Sequence, residues 1–479
     1  MFAIALMARN PQKLVVVGHG VAGLAAAVSA AEQARSRGLR IDITLLEKSR
    51  EDEAGGNTRW SPSYMRLAAP DRLAPGFEED MLHASEGRAD ICYFRTLAER
   101  ATETIGWLQG FDVEFDTPIY YLSAGPPRIQ PVGGGRAIID RLTDAAKQAG
   151  VQLRYESPVI RLVTKDHGIG GVDIRSRNWA TATLDADAVV LASGGFQGDV
   201  PMMRKHFGPA AETLRLISPG TRFDTGDGIR MAVDQGAAVA GDWNGMHIEP
   251  IDPRSQQSAP VVLVYPYGIL VDQDGRRFVD EGSGLVHETW ETLARDIHFV
   301  RPNSIAYAIL DSRLFEIEGF QRAIRSEVPP YQAETIEDLA AQIGVPARRL
   351  RETIDTFNAA TIGDAIHFDA TRCDGLATDS CLMPPKSNWA RAIAKPPFLA
   401  YPLVGGVAYT FGGLATNAKA EVLGERGPIS GLYAAGEITG HFHVTAPNAV
   451  SVLRALVFGR IAGRQAVDFL GDRVAQAAI

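Results

Sequence analysis

Between Val17 and Gly23 the chain reads Val-Gly-His-Gly-Val-Ala-Gly, placing Gly18, Gly20 and Gly23 in the spacing G-x-G-x-x-G. The segment follows the apolar run Leu14–Val17 and opens an alanine-rich stretch. The chemistry that this spacing serves is phosphate binding. Gly18 permits a tight turn, Gly20 lets the first amides of a helix, at Val21 and Ala22, approach a pyrophosphate, and Gly23 lets that helix pack close on the strand. Glu47, with Lys48 beside it, ends the next apolar run and is placed to take the ribose hydroxyls of a dinucleotide. A second cluster, Gly55-Gly56-Asn57-Thr58-Arg59-Trp60-Ser61, follows a glycine pair with side chains suited to a ribityl chain and a flavin ring. Two further glycine turns, Ser193-Gly194-Gly195-Phe196 and Ala435-Gly436-Glu437, each close an apolar run. NAD and FAD share the first fingerprint, but several strand-end glycine turns suit a long cofactor laid across a sheet edge.

The elements that must hold these turns follow from periodicity. Leu14–Val17, a helix over Gly20–Arg35 and a strand over Ile41–Leu46 make a βαβ unit with parallel strands. Gly150–Val163 and Gly171–Leu184 read as extended, and Ala186–Ala192 and Ser430–Ala435 as buried strands. A long helix is expected from about Asn448 to Phe469. Parts of one sheet thus come from both ends of the chain. The middle is richer in isolated charges and predicts surface helices over Ile336–Ile343 and Pro346–Asn358, the first capped at Thr335. The fold class expected is α/β, a Rossmann-like FAD-binding domain over residues 1–250 and 401–479 with an inserted α+β capping domain over 251–400.

Composition bounds the partners. The 479 residues carry 48 Lys and Arg against 57 Asp and Glu, a net charge of −9, which is no footprint for nucleic acid or acidic lipid. The longest uncharged stretches are broken by glycine turns, so no membrane span is expected, and Met1–Asn10 reads as a short tail. Cys92, Cys373 and Cys381 lack metal-site spacing and read as buried small side chains of a cytoplasmic protein. A small-molecule substrate and no metal are expected; oligomeric state is left open.

The residues also carry a resemblance. Val17–Gly23 with Glu47, Gly55–Ser61, Leu191–Phe196, Thr225-Gly-Asp227-Gly-Ile229, Asp274–Glu281, Phe411–Gly413 and Gly431–Glu437 resemble, in order, the flavoprotein family of fumarate reductases, succinate dehydrogenase flavoprotein subunits, 3-ketosteroid Δ1-dehydrogenases and tricarballylate dehydrogenase. Gly55–Arg59, Pro131–Gly135 and Val457–Arg460 most resemble the tricarballylate branch. The resemblance implies FAD, and non-covalent FAD because residues 50–54 contain no His. It adds Val159, Asp227, Ser451 and Val452 to the cofactor set, the last two in a helix whose first amides face the flavin.

The reaction so implied is hydride transfer between the flavin and a carbon, coupled to proton transfer at the neighbouring carbon, which makes or removes a C=C. A quinone-linked or iron–sulfur electron acceptor is implied with it. The arginine that carries the proton in fumarate reductases falls at Leu285, and the histidine before the Gly412-Gly413 turn falls at Tyr409. Fumarate is therefore disfavoured. The leading substrate class is a small carboxylated molecule such as tricarballylate, with Arg277, His247, His443 and Arg454 as carboxylate ligands. The alternatives are a neutral cyclic ketone polarised by Tyr409, or an electron-transfer subunit. Tyr120 and Tyr121 are expected over the flavin or in the core.

Overall fold

The computed structural model describes residues 11–118, 121–122, 124–165, 168–176, 179–362 and 367–476; the tail Met1–Asn10 and Tyr120 lie outside the described residues. The elements used below are β1 (Gln12–Val17), α1 (Val21–Ser36), β2 (Ile41–Leu46), β3 (Gln152–Arg154), β4 (Val159–Lys165), β5 (Ala188–Leu191) and β6 (Met246–Ile251). They continue with α2 (Val286–Phe299), β7 (Ala306–Leu310), β8 (Phe398–Thr410), β9 (Glu421–Gly424), β10 (Gly427–Ala434) and α3 (Ser451–Gln476).

Among the described residues, six strands pair in the order β9–β10–β5–β1–β2–β3, parallel except where β9 meets β10. The centre is β1, which pairs with β2 on one side and β5 on the other, and whose Leu14–Val17 are all buried. A strand covered on both faces has no reason to alternate, which explains the unbroken apolar run. Helix α1 is buried without a break from Val21 to Ala31, and α3 lies against it. Gly459 and Gly463 of α3 face Ala22 and Ala26 of α1, and a Cβ at either glycine would run into those residues' carbonyls. Small residues on both helices therefore set how closely they approach.

The second sheet is organised by β8, thirteen residues long, which pairs antiparallel with β6 and β7. The β6–β8 pair runs across positions 250 and 400, so the sheet of the inserted region reaches into the cofactor cleft, with His247 opposite Tyr409 in the register. Helix α2 packs on β6 and β8. Thr335 caps the helix Ile336–Ile343 as expected, its hydroxyl accepting from the Asp338 amide.

Two expectations are corrected. The three cysteines are exposed, not buried. Cys92 lies in the first turn of the helix Ile91–Gln109, and the other two lie in polar connections. The final helix starts at Ser451, not Asn448, because Ala449 has a φ of +60° and the Asn448 side-chain oxygen accepts from Arg128 Nε at 2.9 Å. No helix of the described residues is long and apolar enough to cross a membrane.

Candidate active site

The ends of β1, β2, β5 and β10 open onto one cleft of about 1800 Å³, solvent at its mouth included. Its walls include Gly18, Gly20, Val21, Ala22, Glu47, Lys48, Gly56, Asn57, Thr58, Ser61, Val159, Ser193, Gly194, Asp227, Gly436, Glu437, Ser451 and Val452. Of the residues expected to hold the cofactor, Gly23, Gly55 and Gly195 lie behind that wall. Gly195 sits under Glu437 and Thr410, and Gly23 against the Gly18 carbonyl. Gly18 has a φ of +109°, and a Cβ there would strike the Ala192 carbonyl, so only glycine makes this turn.

The polar groups of the cleft divide into those already engaged and those left for a ligand. Glu47 accepts from the amides of His19 at 2.9 Å and Ser49 at 2.7 Å, which fixes its carboxylate at the end of β2 with lone pairs to spare. Lys48 donates to Thr225 and Asp227, at 2.6 and 2.9 Å. Asn57 is held by Asp224, Ala408, Ser218 and Thr221, so it braces the loop. By contrast Ser193 Oγ, Ser63 Oγ and Trp60 Nε1 are buried with no hydrogen-bond partner among the described residues. Buried polar atoms without partners are costly, and three of them on one glycine-lined wall fit a polar ligand as long as a dinucleotide. The FAD expected from sequence therefore fits. Pyrophosphate would lie at the start of α1, ribose at Glu47 and the flavin near the start of α3. Burial raises the Glu437 pKa to about 7 against the Thr410 amide and the Arg454 charge. Burial and the nearby Glu437 likewise raise Asp224 well above the usual carboxylate range.

Beyond the flavin position the cleft is aromatic. Tyr409, at the end of β8, stacks on His247 of β6, with centroids 4.8 Å apart. His247 meets Trp290 of α2 at 6.0 Å, Trp290 meets Tyr121 at 5.8 Å, and Tyr121 meets Tyr64 at 5.8 Å. His247 engages Glu291 through Nδ1 at 2.6 Å and Glu249 through Nε2 at 3.0 Å. Burial alone would pull its pKa down, but the hydrogen bonds and charges of the two carboxylates win and raise it to about 10. His247 is thus an imidazolium with both N–H groups committed. It is poorly placed to shuttle a proton and well placed to hold the ring beside it. Burial, then Glu291 and Glu249, push the Tyr409 pKa well above 10, so the phenol stays protonated; its hydrogen-bond partner is Ser451.

The structure brings His247 and Tyr409 together on the cleft wall, and leaves Arg277 and His443 away from it. Arg277 forms a buried pair with Glu281, at 2.6 Å, and donates to the Pro384 carbonyl at 2.8 Å, holding the inserted region together. His443 bridges to Thr445, and burial lowers its pKa. Arg454 is buried on the wall, its guanidinium 3.8 Å over the Phe442 ring and donating to the Thr439 carbonyl at 3.2 Å. Sequence reasoning passed over Glu249, Glu291, Trp290, Tyr64 and Arg325. Glu249 carried a signal, standing two residues from His247 on one strand and so on the same face; the others come from segments without a motif.

A family profile described as FAD binding domain matches residues 13–451. The chain is 27% identical over 492 residues to a probable fumarate reductase, Ifc3, of Shewanella frigidimarina, covering 98% of this chain and 77% of that protein. It is 31% identical over 361 residues to a 4-oxocyclohexanecarboxylate 2-dehydrogenase of Sinomonas cyclohexanicum, covering 70% of this chain and 61% of that protein. Its fold matches the open conformation of a flavocytochrome c3 fumarate reductase with a TM-score of 0.75 and 26% identity, covering 98% of this chain and 80% of the other.

Proposed function

Because the chain belongs to the FAD binding domain family and is an FAD-dependent oxidoreductase, we propose that it interconverts a CH–CH bond and a C=C bond beside the carbonyl of a compact cyclic ketone. The observation that carries this reading is Tyr409, a phenol held protonated at the flavin end of an aromatic cleft. Bound FAD supplies the two-electron chemistry, exchanging a hydride with the substrate carbon. Tyr409 donates its O–H to the carbonyl oxygen and withdraws electron density, so that the adjacent C–H can release its proton to solvent at the mouth of the cleft. His247 keeps the Tyr409 ring in place by stacking, while Glu249 and Glu291 keep His247 charged and oriented. Trp290, Tyr121 and Tyr64 offer flat apolar surface for a ring.

A polycarboxylate such as tricarballylate fits less well. It would meet Glu249 on the cleft wall with Glu291 behind it, two carboxylates sharing the one imidazolium of His247. With three dispersed cysteines the chain cannot bind a four-cysteine cluster, so this reading assigns electron disposal to a separate quinone-linked or iron–sulfur carrier. The test is anaerobic mixing of the FAD-loaded protein with 4-oxocyclohexanecarboxylate, cyclohexanone and tricarballylate. Cyclic ketones should bleach the oxidised flavin and tricarballylate should not; bleaching by tricarballylate alone would overturn the reading.

A further inference from the structure

The aromatic wall has a second end. From Tyr409 the rings run through His247, Trp290 and Tyr121 to Tyr64, and Tyr64 lies in the field of the Arg325 guanidinium. Arg325 lines the same cleft, on the connection after the short turn Phe320–Ala323. Its backbone is fixed, since its amide donates to the Val261 carbonyl at 2.8 Å and Ile324 bridges to Val262. Its side chain is not engaged: among the described residues the guanidinium has no ion pair and no hydrogen bond.

The reason is visible in its neighbours. Glu327 is held by the Ser255 hydroxyl and by the Gln256 amide. Asp252 holds Arg254 at 2.7 Å and Ser326 at 2.9 Å. Glu327 on this connection, and Asp252, which holds its Ser326, are thus committed to other donors. A guanidinium always carries its charge, and its fork of donors matches a carboxylate in two parallel hydrogen bonds. A cation anchored by its backbone, left unpaired and facing an apolar cleft is arranged for an anion brought in by the ligand.

We infer that Arg325 recognises a single carboxylate on the substrate, at the end of the molecule remote from the carbonyl that Tyr409 polarises. The inference rests on the reading of Tyr409 for which end of the substrate is which, but not for the existence of the carboxylate site. It narrows the substrate to a cyclic ketone acid with an apolar body between its two polar ends. Arg325 is then a specificity-determining residue that takes no part in the redox step.

The test separates the two readings by using ligands that have no ketone. Cyclohexanecarboxylate and its neutral counterpart cyclohexylmethanol are titrated into the FAD-loaded wild type, Arg325→Gln and Arg325→Lys, with perturbation of the flavin spectrum as the readout and FAD content as the check on folding. The wild type should prefer the acid, Arg325→Gln should weaken acid binding about 10- to 100-fold, and Arg325→Lys should recover part of the loss. Binding of cyclohexylmethanol should not move. Equal binding of acid and alcohol by the wild type, or unchanged acid binding in Arg325→Gln, would overturn the inference whatever the ketones do. If acid binding depends on Arg325 but no ketone bleaches the flavin, the carboxylate site stands and the assignment of Tyr409 falls.

Discussion

Tyr409 shows how one hydroxyl is kept fit for one task. Its ring is stacked on an imidazolium, its oxygen is partnered by Ser451, and two carboxylates nearby resist any negative charge on it. A phenol so placed gives a hydrogen bond and does not lose its proton at neutral pH. Tyr409→Phe keeps the ring and removes the donor. Turnover should fall by about 10²-fold or more with FAD still bound and KM nearly unchanged; steady-state kinetics with a cyclic ketone check this. His247 gives a pH prediction. Its folded pKa of about 10 lies above the ordinary 6.5, so the stability it lends is complete below about pH 6.5 and drains away as the pH climbs through about 10. Glu291→Gln removes one of its two acceptors. The difference in Tm between wild type and Glu291→Gln should be largest below about pH 6.5 and shrink towards about pH 10. A difference that ignores pH would mean His247 is neutral in the fold.

At the level of elements, the packing of α1 against α3 links the cofactor turn to the far end of the chain. The helix whose first amides would hold the pyrophosphate lies on one whose N-terminus lines the same cleft, and Gly459 and Gly463 let the two approach. Gly463→Val would push them apart at the Ala26 carbonyl. The expected cost is about 1–3 kcal/mol, typical of overpacking, seen as a lower Tm and weaker FAD retention on gel filtration. The parallel sheet and its glycine turns were legible in sequence because a buried strand followed by a glycine turn is a local pattern. The boundary at the final helix was not, because it depends on a positive φ at Ala449 and on Arg128 reaching Asn448 from 320 residues away.

The whole molecule explains why the cofactor was easier to read than the substrate. The groups around the expected FAD lie in short motifs: Gly18 to Glu47, Gly55 to Ser61, Ser193 to Gly195 and Gly436 to Glu437. The proposed substrate end draws on single residues of unrelated segments: Tyr64 and Tyr121 early in the chain, His247 and Glu249 on β6, Trp290 on α2 with Glu291 behind it, Arg325 on a connection and Tyr409 on β8. Charge balance misleads in the same way, since a chain of net charge −9 leaves Arg325 on the cleft wall with no ion pair among the described residues. Arg277 and His443 were conspicuous in the sequence because of their motifs, and the fold uses the first as an internal brace.

The row of rings from Tyr409 to Tyr64 also bears on descent. With the roles proposed above, it keeps the group that polarises the bond and the group that selects the molecule at opposite ends, on a strand and a connection that do not pair among the described residues. Drift in the connection carrying Arg325 can exchange one clientele for another while the redox apparatus is inherited intact. Within such a lineage, reaction type should be the conservative trait and diet the changeable one.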